Sequence, residues 1–214
     1  MVIFDDAIER IRQSLSNDLP GIDAHRVMAP DHRKPASEYL KEVKSYKTGC
    51  VMALIFPSET GEATLVLMER TGVEGDVHAH QVSFPGGKHE EEDEGFLMTA
   101  LREVYEEVGV PSADINVLGA LSELYIPPSN FLVYPFVGYI TKRPEYNLSV
   151  DEVKNILEVP LSFFMATENK KETTFSSARG YAVKAPYYDY SGIKIWGATA
   201  MMVAELVACL EVKS

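Results

Sequence analysis

The sequence of 214 residues has no apolar run long enough to cross a membrane as a helix. Its longest apolar runs are residues 50–56 and the interrupted stretch 196–203, whereas a span requires roughly 18 residues. The N-terminus carries acidic residues early and its pattern is typical of an amphipathic helix, not of a secretory signal. We therefore expect a protein that does not enter a membrane.

Cysteine is scarce, which excludes a fold held together by several disulfides. Cys50 and Cys209 both lie in apolar contexts, and neither belongs to a spacing typical of a metal or redox site. Free cysteine usually behaves as a small buried hydrophobe. The sequence thus predicts two buried free thiols in a reducing compartment, and we expect a cytoplasmic protein.

Basic residues are outnumbered, with 20 Lys and Arg against 32 Asp and Glu, for a net charge of -12. A surface this acidic repels a phosphate backbone, which argues against a general nucleic-acid binder. If a phosphorylated small molecule binds here, a cation must mask the local carboxylates. A divalent metal ion is the obvious candidate.

The apolar pattern predicts one α+β domain with an N-terminal extension. Residues 3–15 predict a helix, followed by a polar stretch with Pro30 and Pro35, so we interpret 1–47 as a helical extension packed on the main domain, 48–214. Apolar runs at 49–56 and 63–70 flank a turn-rich segment and predict a β-hairpin. Further strands are expected at 115–126 and 132–140, and a mostly buried helix at 197–210.

Chemistry-bearing residues concentrate on a predicted helix at 94–108. Its apolar residues form one stripe: Leu97, Ala100, Leu101, Val104 and Val108. Glu103, Glu106 and Glu107 share a different face. Such a face is typical of a solvated acidic surface and also of a site for a hard divalent cation, which prefers oxygen ligands. The paired glycines of the preceding SFPGGK segment allow a close backbone approach, which favours the metal site.

These residues resemble the Nudix box, with one extra residue in the connecting loop. The matching positions are Gly87-x5-Asp93 and then Arg102-Glu103-Val104-x-Glu106-Glu107-x-Gly109-Val110. The box usually has glutamate at the position of Asp93, and Glu94 is the alternative match. The resemblance implies a Nudix-type α/β/α sandwich with a mixed β-sheet and a metal-dependent hydrolase that cleaves diphosphate bonds.

The lengthened box and its flanks are similar to the coenzyme A pyrophosphatase branch of this family. The segments that match are His78-x-x-Gln81-Val82-Ser83-Phe84-Pro85-Gly86-Gly87-Lys88, Pro128-Ser129-Asn130-Phe131 and Ile195-Trp196-Gly197-Ala198-Thr199-Ala200. The resemblance covers about residues 49–210. It implies hydrolysis of coenzyme A or its derivatives to 3',5'-ADP and 4'-phosphopantetheine, or its acyl form.

The resemblance also implies roles for individual residues. The expected ligands of a Mg²⁺ or Mn²⁺ ion are Glu103, Glu107, Glu106 and the carbonyl oxygen of Gly87. The expected catalytic residues are Glu106, Glu107 and Arg102, and the general base stays open among Glu106, Glu107, Glu123 and other acids outside the box. Arg102 is expected to pair with Asp93 or Glu94. The expected substrate-binding residues are Arg70, His78, Gln81, Phe84, Gly86 and Lys88.

The sequence differs from the branch at two positions where glycine is usual, and two other functions are compatible with the Nudix box. His80 and Asn130 stand where the branch usually has glycine, and Asn tolerates a positive φ better than most residues. One alternative is a Nudix hydrolase for another dinucleotide or nucleotide sugar, such as NADH or ADP-ribose. Another is an inactive Nudix module that senses a ligand, which the retained glutamates argue against. The expected partner is a small nucleotide diphosphate, and the family makes a homodimer plausible.

Overall fold

The computed structural model describes residues 1–31, 33–72, 80–176 and 182–211. Its strands, in chain order, are β1 (Lys47–Pro57), β2 (Ala63–Arg70), β3 (Val82–Ser83), β4 (Gly86–Lys88), β5 (Asn116–Ala120), β6 (Leu124–Ile126), β7 (Phe131–Tyr139), β8 (Val153–Pro160), β9 (Lys170–Ser176), β10 (Ala182–Tyr190) and β11 (Ile193–Trp196). Its α-helices are α1 (Phe4–Leu15), α2 (Gly21–Arg26), α3 (Ala36–Glu42), α4 (Phe96–Val108), α5 (Leu161–Met165) and α6 (Gly197–Glu211). Short 3₁₀ turns cover Ser112–Asp114 and Thr167–Asn169.

Strand β1 lies at the centre of a mixed sheet in which the main strand order is β3-β2-β1-β7-β5. It pairs in parallel with β7 and antiparallel with β2 and β4. The predicted hairpin at 49–56 and 63–70 is confirmed, because Ile55 of β1 lies opposite Leu65 of β2. The predicted strand at 115–126 is in fact two strands, β5 and β6, which both pair with β7.

Both faces of the mixed sheet are covered by helices, because β1 is apolar on both sides. Met52 and Leu54 belong to a core cluster that contains Leu101 and Val104 of α4. The alternate residues, Ala53 among them, belong to a second cluster built with α1 and α6. A strand buried on both faces reads as an almost continuous apolar run. The predicted α+β fold, a sandwich with a mixed sheet between helices, is confirmed.

The N-terminal helices pack directly on the rest of the chain. Ile8 and Ile11 of α1 are buried in the same cluster as α6. In α2, the buried His25 contacts the buried carboxylate of Glu205 in α6 at 2.8 Å, and the Ser122 hydroxyl donates to that carboxylate at 2.6 Å. The sequence did not predict helices α2 and α3, because such short segments beside prolines show no clear helical periodicity of apolar residues. The division at residue 47 stays a prediction.

A second, three-stranded antiparallel sheet in the order β11-β10-β9 leads directly into α6. Helix α6 is apolar on nearly all sides and mostly buried, as the sequence predicts. Both cysteines are buried free thiols, which confirms the prediction for Cys50 and Cys209. Among the described residues, no helix is both long and apolar enough to cross a membrane.

The buried stripe of α4 makes a stability prediction. Leu101 of α4 is 8% exposed, and its side chain belongs to the core cluster between this helix and the mixed sheet. Leu101→Ala should therefore lower the free energy of unfolding by about 2–5 kcal/mol, as truncations of buried leucine do. Urea unfolding measures this loss. The matched control is Met98→Ala on the same helix, where the side chain is 44% exposed and a change within about 0.5 kcal/mol is expected. Equal losses in both variants would contradict the assigned orientation of α4.

Candidate active site

The carboxylate face of α4 lies against the glycine loop because β4 pairs with β1. Cys50 of β1 is the register partner of Gly87, so the chain returns along β1 and enters the loop before α4. Helix α4 ends at Gly109, which adopts the left-handed conformation with φ of 79° and caps the helix. Glycine is the residue that most easily closes a helix in this way. The two ends of the predicted Nudix box are thus fixed by backbone geometry.

Gly86 and Gly87 lie so close to neighbouring atoms that neither position has room for a side chain. A Cβ atom added to Gly86, whose φ is 153°, would lie 2.3 Å from the carbonyl oxygen of Cys50. One added to Gly87 would lie 2.4 Å from the Oε1 atom of Glu103. Real Cβ contacts of this length essentially do not occur. The absence of side chains here therefore lets the Gly87 backbone approach the Glu103 carboxylate.

Glu107 is the buried acid of this face. It is 2% exposed, and its Oε2 atom accepts a hydrogen bond of 2.7 Å from the Gly86 N–H. The Nη1 atom of Arg70 lies 3.6 Å from Oε1. Burial raises the pKa of Glu107 to about 8, although the Gly86 N–H and Arg70 act against this. A carboxylate held in this way favours the arrival of further positive charge.

Arg102 connects the acids of the box. Its Nε and Nη2 atoms donate to Asp93 at 2.9 and 3.1 Å, and Nη1 donates to Glu103 at 2.9 Å and to Glu106 at 2.8 Å. Nη2 also reaches the Lys88 carbonyl oxygen at 3.2 Å. The Arg102 guanidinium holds the pKa of Asp93 well below its usual range. The arginine thus braces the loop between β4 and α4.

The described residues contain no group of three His, Cys, Asp or Glu side chains already gathered around one ion position. The reason is visible in the contacts, because Arg102 draws Glu103 and Glu106 toward itself while Glu107 turns to the Gly86 N–H. The donors nevertheless fit a hard divalent cation, since such ions take carboxylate and carbonyl oxygens together with water and phosphate. Burial raises the pKa of Glu103 as well, so an added cation would relieve two desolvated acids.

A further acid near this face was missed in the sequence. Glu152 lies in the loop before β8, is exposed, and its charge raises the pKa of both Glu103 and Glu107. Its backbone carbonyl accepts from the Thr71 N–H at 2.9 Å, which fixes the loop beside the end of β2. No local pattern marks it, because only the return of β8 along β2 brings it here. Glu123, the other candidate base outside the box, lines a different cavity together with His25.

Beside the glycine loop lies a cavity of about 350 Å³. Five of the expected substrate-binding residues line it: Arg70, Gln81, Phe84, Gly86 and Lys88. The sixth, His78, lies outside the described residues. The cavity continues to a wall formed by β7 and α6, where Val133 and Met202 are among the lining residues. The structure therefore joins the carboxylate face to a pocket that the box alone does not reveal.

The two substitutions at expected glycine positions are both accommodated. His80 has φ of 60° and Asn130 has φ of 58°, so both adopt the left-handed conformation that glycine favours. The imidazole of His80 is exposed and lies over Gly72, and His80 is not among the described residues that line the cavity. The Asn130 side chain accepts from the Tyr125 hydroxyl at 2.8 Å and donates to the Ser45 carbonyl oxygen at 3.1 Å.

Comparison with known proteins places the chain in a family. Residues 47–178 match the family model described as NUDIX domain. Over 160 residues the chain is 32% identical to the Nudix hydrolase NudL of Photorhabdus laumondii, covering 75% of this chain and 84% of that protein. Over 208 residues it is 27% identical to Nudix hydrolase 22, chloroplastic, of Arabidopsis thaliana, covering 94% of this chain and 64% of that protein.

The fold agrees with this relationship. The MutT protein from Methanosarcina mazei Go1 superposes with a TM-score of 0.51 at 18% identity, covering 79% of this chain and 98% of that chain. The structure is that of a Nudix domain, and the chain belongs to the Nudix hydrolase family. Nudix hydrolases generally use divalent metal ions and act on small nucleotide substrates. The compartment stays a prediction, because plant relatives are named chloroplastic and mitochondrial.

The Arg102 contact to Asp93 predicts a pH-dependent stability. Asp93→Asn should lower the Tm at neutral pH, because the amide removes the charge that faces Arg102. The folded-state pKa of Asp93 is depressed, so its stabilisation is complete above the unfolded pKa of about 3.9 and is lost as pH falls toward the folded pKa. The Tm difference from wild type should therefore shrink below about pH 4.

Thermal unfolding between about pH 2.5 and 7 measures this difference. The control is Glu94→Gln, which alters the neighbouring exposed acid and should leave the Tm close to that of wild type across the range. A Tm difference for Asp93→Asn that stays constant with pH would show that the ion pair does not stabilise the loop.

Proposed function

We propose that this Nudix hydrolase cleaves the diphosphate bond of coenzyme A or its derivatives, giving 3',5'-ADP and 4'-phosphopantetheine or its acyl form. The observation that supports this most is the continuity between the box and the cavity. Gln81, Phe84, Gly86 and Lys88 belong to the branch-specific segment, and all of them line the cavity next to the carboxylate face. A substrate with its diphosphate at Gly86 and Gly87 would extend an arm into this cavity.

A Mg²⁺ or Mn²⁺ ion would be held by Glu103, Glu106, Glu107 and the carbonyl oxygen of Gly87. When bound, such an ion neutralises phosphate oxygens and lowers the pKa of an attacking water. Glu106 is the most accessible of the three acids, with a side chain 51% exposed. It can exchange its surface pairing with Arg102 for the ion at little cost, because exposed ion pairs contribute little to stability.

The cationic side chains of the cavity would bind the diphosphate. Arg70 and Lys88 both line it beside Gly86, whose N–H already engages Glu107. Their positive charge compensates the diphosphate in a protein whose net charge is -12. Arg102 acts differently, because its guanidinium is occupied by Asp93, Glu103 and Glu106. We assign to Arg102 the positioning of the ligand glutamates.

We assign the general base to Glu152. Glu107 is buried and bonded to a backbone amide, which leaves it poorly placed to accept a proton from water. Glu152 is exposed, and its charge reaches Glu103 and Glu107. Its charge therefore acts on two of the acids that would hold the ion, and it is not itself among the expected ligands. Glu152 would take a proton from the attacking water as the water oxygen bonds to one phosphorus, the bridging P–O bond breaks, and the other phosphate leaves with its ester arm.

Turnover by the purified protein tests the proposed function. With Mg²⁺ or Mn²⁺ it should cleave coenzyme A in preference to NADH and ADP-ribose, with 3',5'-ADP detected by chromatography. Glu103→Gln should lower kcat by at least about 100-fold and raise the metal concentration for half-activity, because the amide keeps the shape but not the charge. The matched control, Glu92→Gln, changes an exposed acid in the preceding loop and should behave as wild type.

Each of the other outcomes would contradict part of this proposal and indicate a different function or ligand set. Preference for NADH or ADP-ribose would support another Nudix hydrolase and contradict the coenzyme A assignment. Metal-dependent binding of a nucleotide without turnover would support a ligand-sensing module. Full activity of Glu103→Gln at saturating metal would remove Glu103 from the ligand set.

Glu152→Gln tests the general base separately. Removing a general base typically costs 10²–10⁴-fold in rate, so kcat should fall by at least about 100-fold. The metal concentration for half-activity should stay near that of wild type, which distinguishes this variant from Glu103→Gln. The control is Asp151→Asn, an exposed acid whose backbone carbonyl, and not its carboxylate, contacts Thr71. A wild-type kcat in Glu152→Gln would return the role to Glu106 or Glu107.

A further inference from the structure

The charged groups of the 350 Å³ cavity are confined to its catalytic side. Arg70 and Lys88 are the ionisable side chains among the described residues that line it, and both lie beside Gly86. The rest of the lining is neutral and mostly aliphatic, including Val51, Ile126, Val133, Ala198 and Met202. Moving a charged group into such surroundings without a partner is costly. The described lining away from Arg70 and Lys88 therefore favours an uncharged part of a substrate.

The walls are also poorly suited to a nucleobase. A base stacks on aromatic faces. Among the described residues of the lining, two are aromatic: Phe84 is 1% exposed, and the Nζ atom of Lys47 lies 5.5 Å from the ring centroid of Phe131. The Phe84 ring is thus buried, and the Phe131 ring already has a lysine ammonium over it. A flexible chain fits these aliphatic walls better than a planar ring does.

Apart from the Gln81 amide, the neutral polar side chains of the described lining are hydroxyls, those of Ser83, Ser129 and Thr199. The Oγ atoms of Ser83 in β3 and Ser129 before β7 are buried, and neither has a hydrogen-bond partner within the described part of the chain. Thr199 of α6 differs, because its hydroxyl donates to the Val82 carbonyl oxygen at 2.8 Å. A buried hydroxyl without a partner destabilises a fold, so such groups require an explanation.

We propose that Ser83 and Ser129 select the arm of the substrate beyond the scissile diphosphate, an uncharged chain that carries amide groups. This inference rests on the proposed function and adds to it the residues that recognise the arm. Both residues line the cavity, and binding in this way requires each buried hydroxyl to rotate about its Cα–Cβ bond to meet the substrate. Each then offers one donor and two acceptor positions, which match both the N–H and the C=O of an amide.

The test compares two substrates that share the nucleotide and the diphosphate and differ only in the arm. They are coenzyme A and the hexyl ester of 3'-phosphoadenosine 5'-diphosphate, which has no amide. The measured quantity is the ratio of kcat/KM for the first to kcat/KM for the second, using the full chain with Mg²⁺. Ser83→Ala and Ser129→Ala should each lower this ratio by about 3- to 10-fold, the worth of one neutral hydrogen bond.

The control and a second measurement separate recognition from structure. Ser112→Ala makes the same truncation at an exposed position away from the cavity and should keep the wild-type ratio. The Tm of Ser83→Ala and Ser129→Ala should not fall, because neither hydroxyl has a hydrogen-bond partner to lose among the described residues. Equal losses on both substrates together with a lower Tm would show a structural role and overturn the inference.

The outcomes also distinguish this inference from the proposed function. If the wild type cleaves coenzyme A and neither serine variant changes the ratio, the proposed function stands and the inference fails. If the wild type cleaves neither substrate, the proposed function fails and the inference fails with it.

Discussion

The hydrogen bond from the Gly86 N–H to the buried Glu107 carboxylate joins the two halves of the site. It holds β4 against α4 and thereby places the Gly87 backbone beside Glu103. The same contact closes one side of the cavity, because Gly86 and Gly87 are part of its lining. Any side chain at either glycine would force the loop away from its neighbours. The proposed ligand set, the cavity beside it and the course of the loop therefore all depend on one contact between an acid and an amide.

Much of this arrangement could be predicted from the sequence, where the signals are local. Helix α4 has an apolar stripe of helical period and a glycine stop, so its range and buried face follow directly. The hairpin of β1 and β2 has a turn-rich segment between apolar runs. The glycine pair before an acidic helix likewise marks the loop, because close approach requires glycine. The sequence alone could not decide whether Asp93 or Glu94 pairs with Arg102, because the answer depends on how the extra loop residue is accommodated. In the structure the partner is Asp93.

What could not be predicted depends on distant parts of the chain. Strands β3 and β4 are two and three residues long and exist because β2 and β1 offer them partners. Glu152 reaches the carboxylate face only because β8 returns along β2. The cavity combines residues from β1, β3, β4, β7 and α6, and no single segment shows its outline. Recognition of an arm by Ser83 and Ser129 is a property of that assembly, not of the motif.

The position of α6 has an evolutionary consequence. The family match spans residues 47–178, whereas α6 begins at Gly197 and contributes Ala198, Thr199 and Met202 to the cavity wall. The carboxylate helix α4 and one wall of the cavity therefore lie in different parts of the chain. Mutations in the C-terminal helix can reshape that wall while leaving the carboxylate helix untouched. Two proteins that share the matched segment can thus differ in substrate specificity while keeping the same type of reaction.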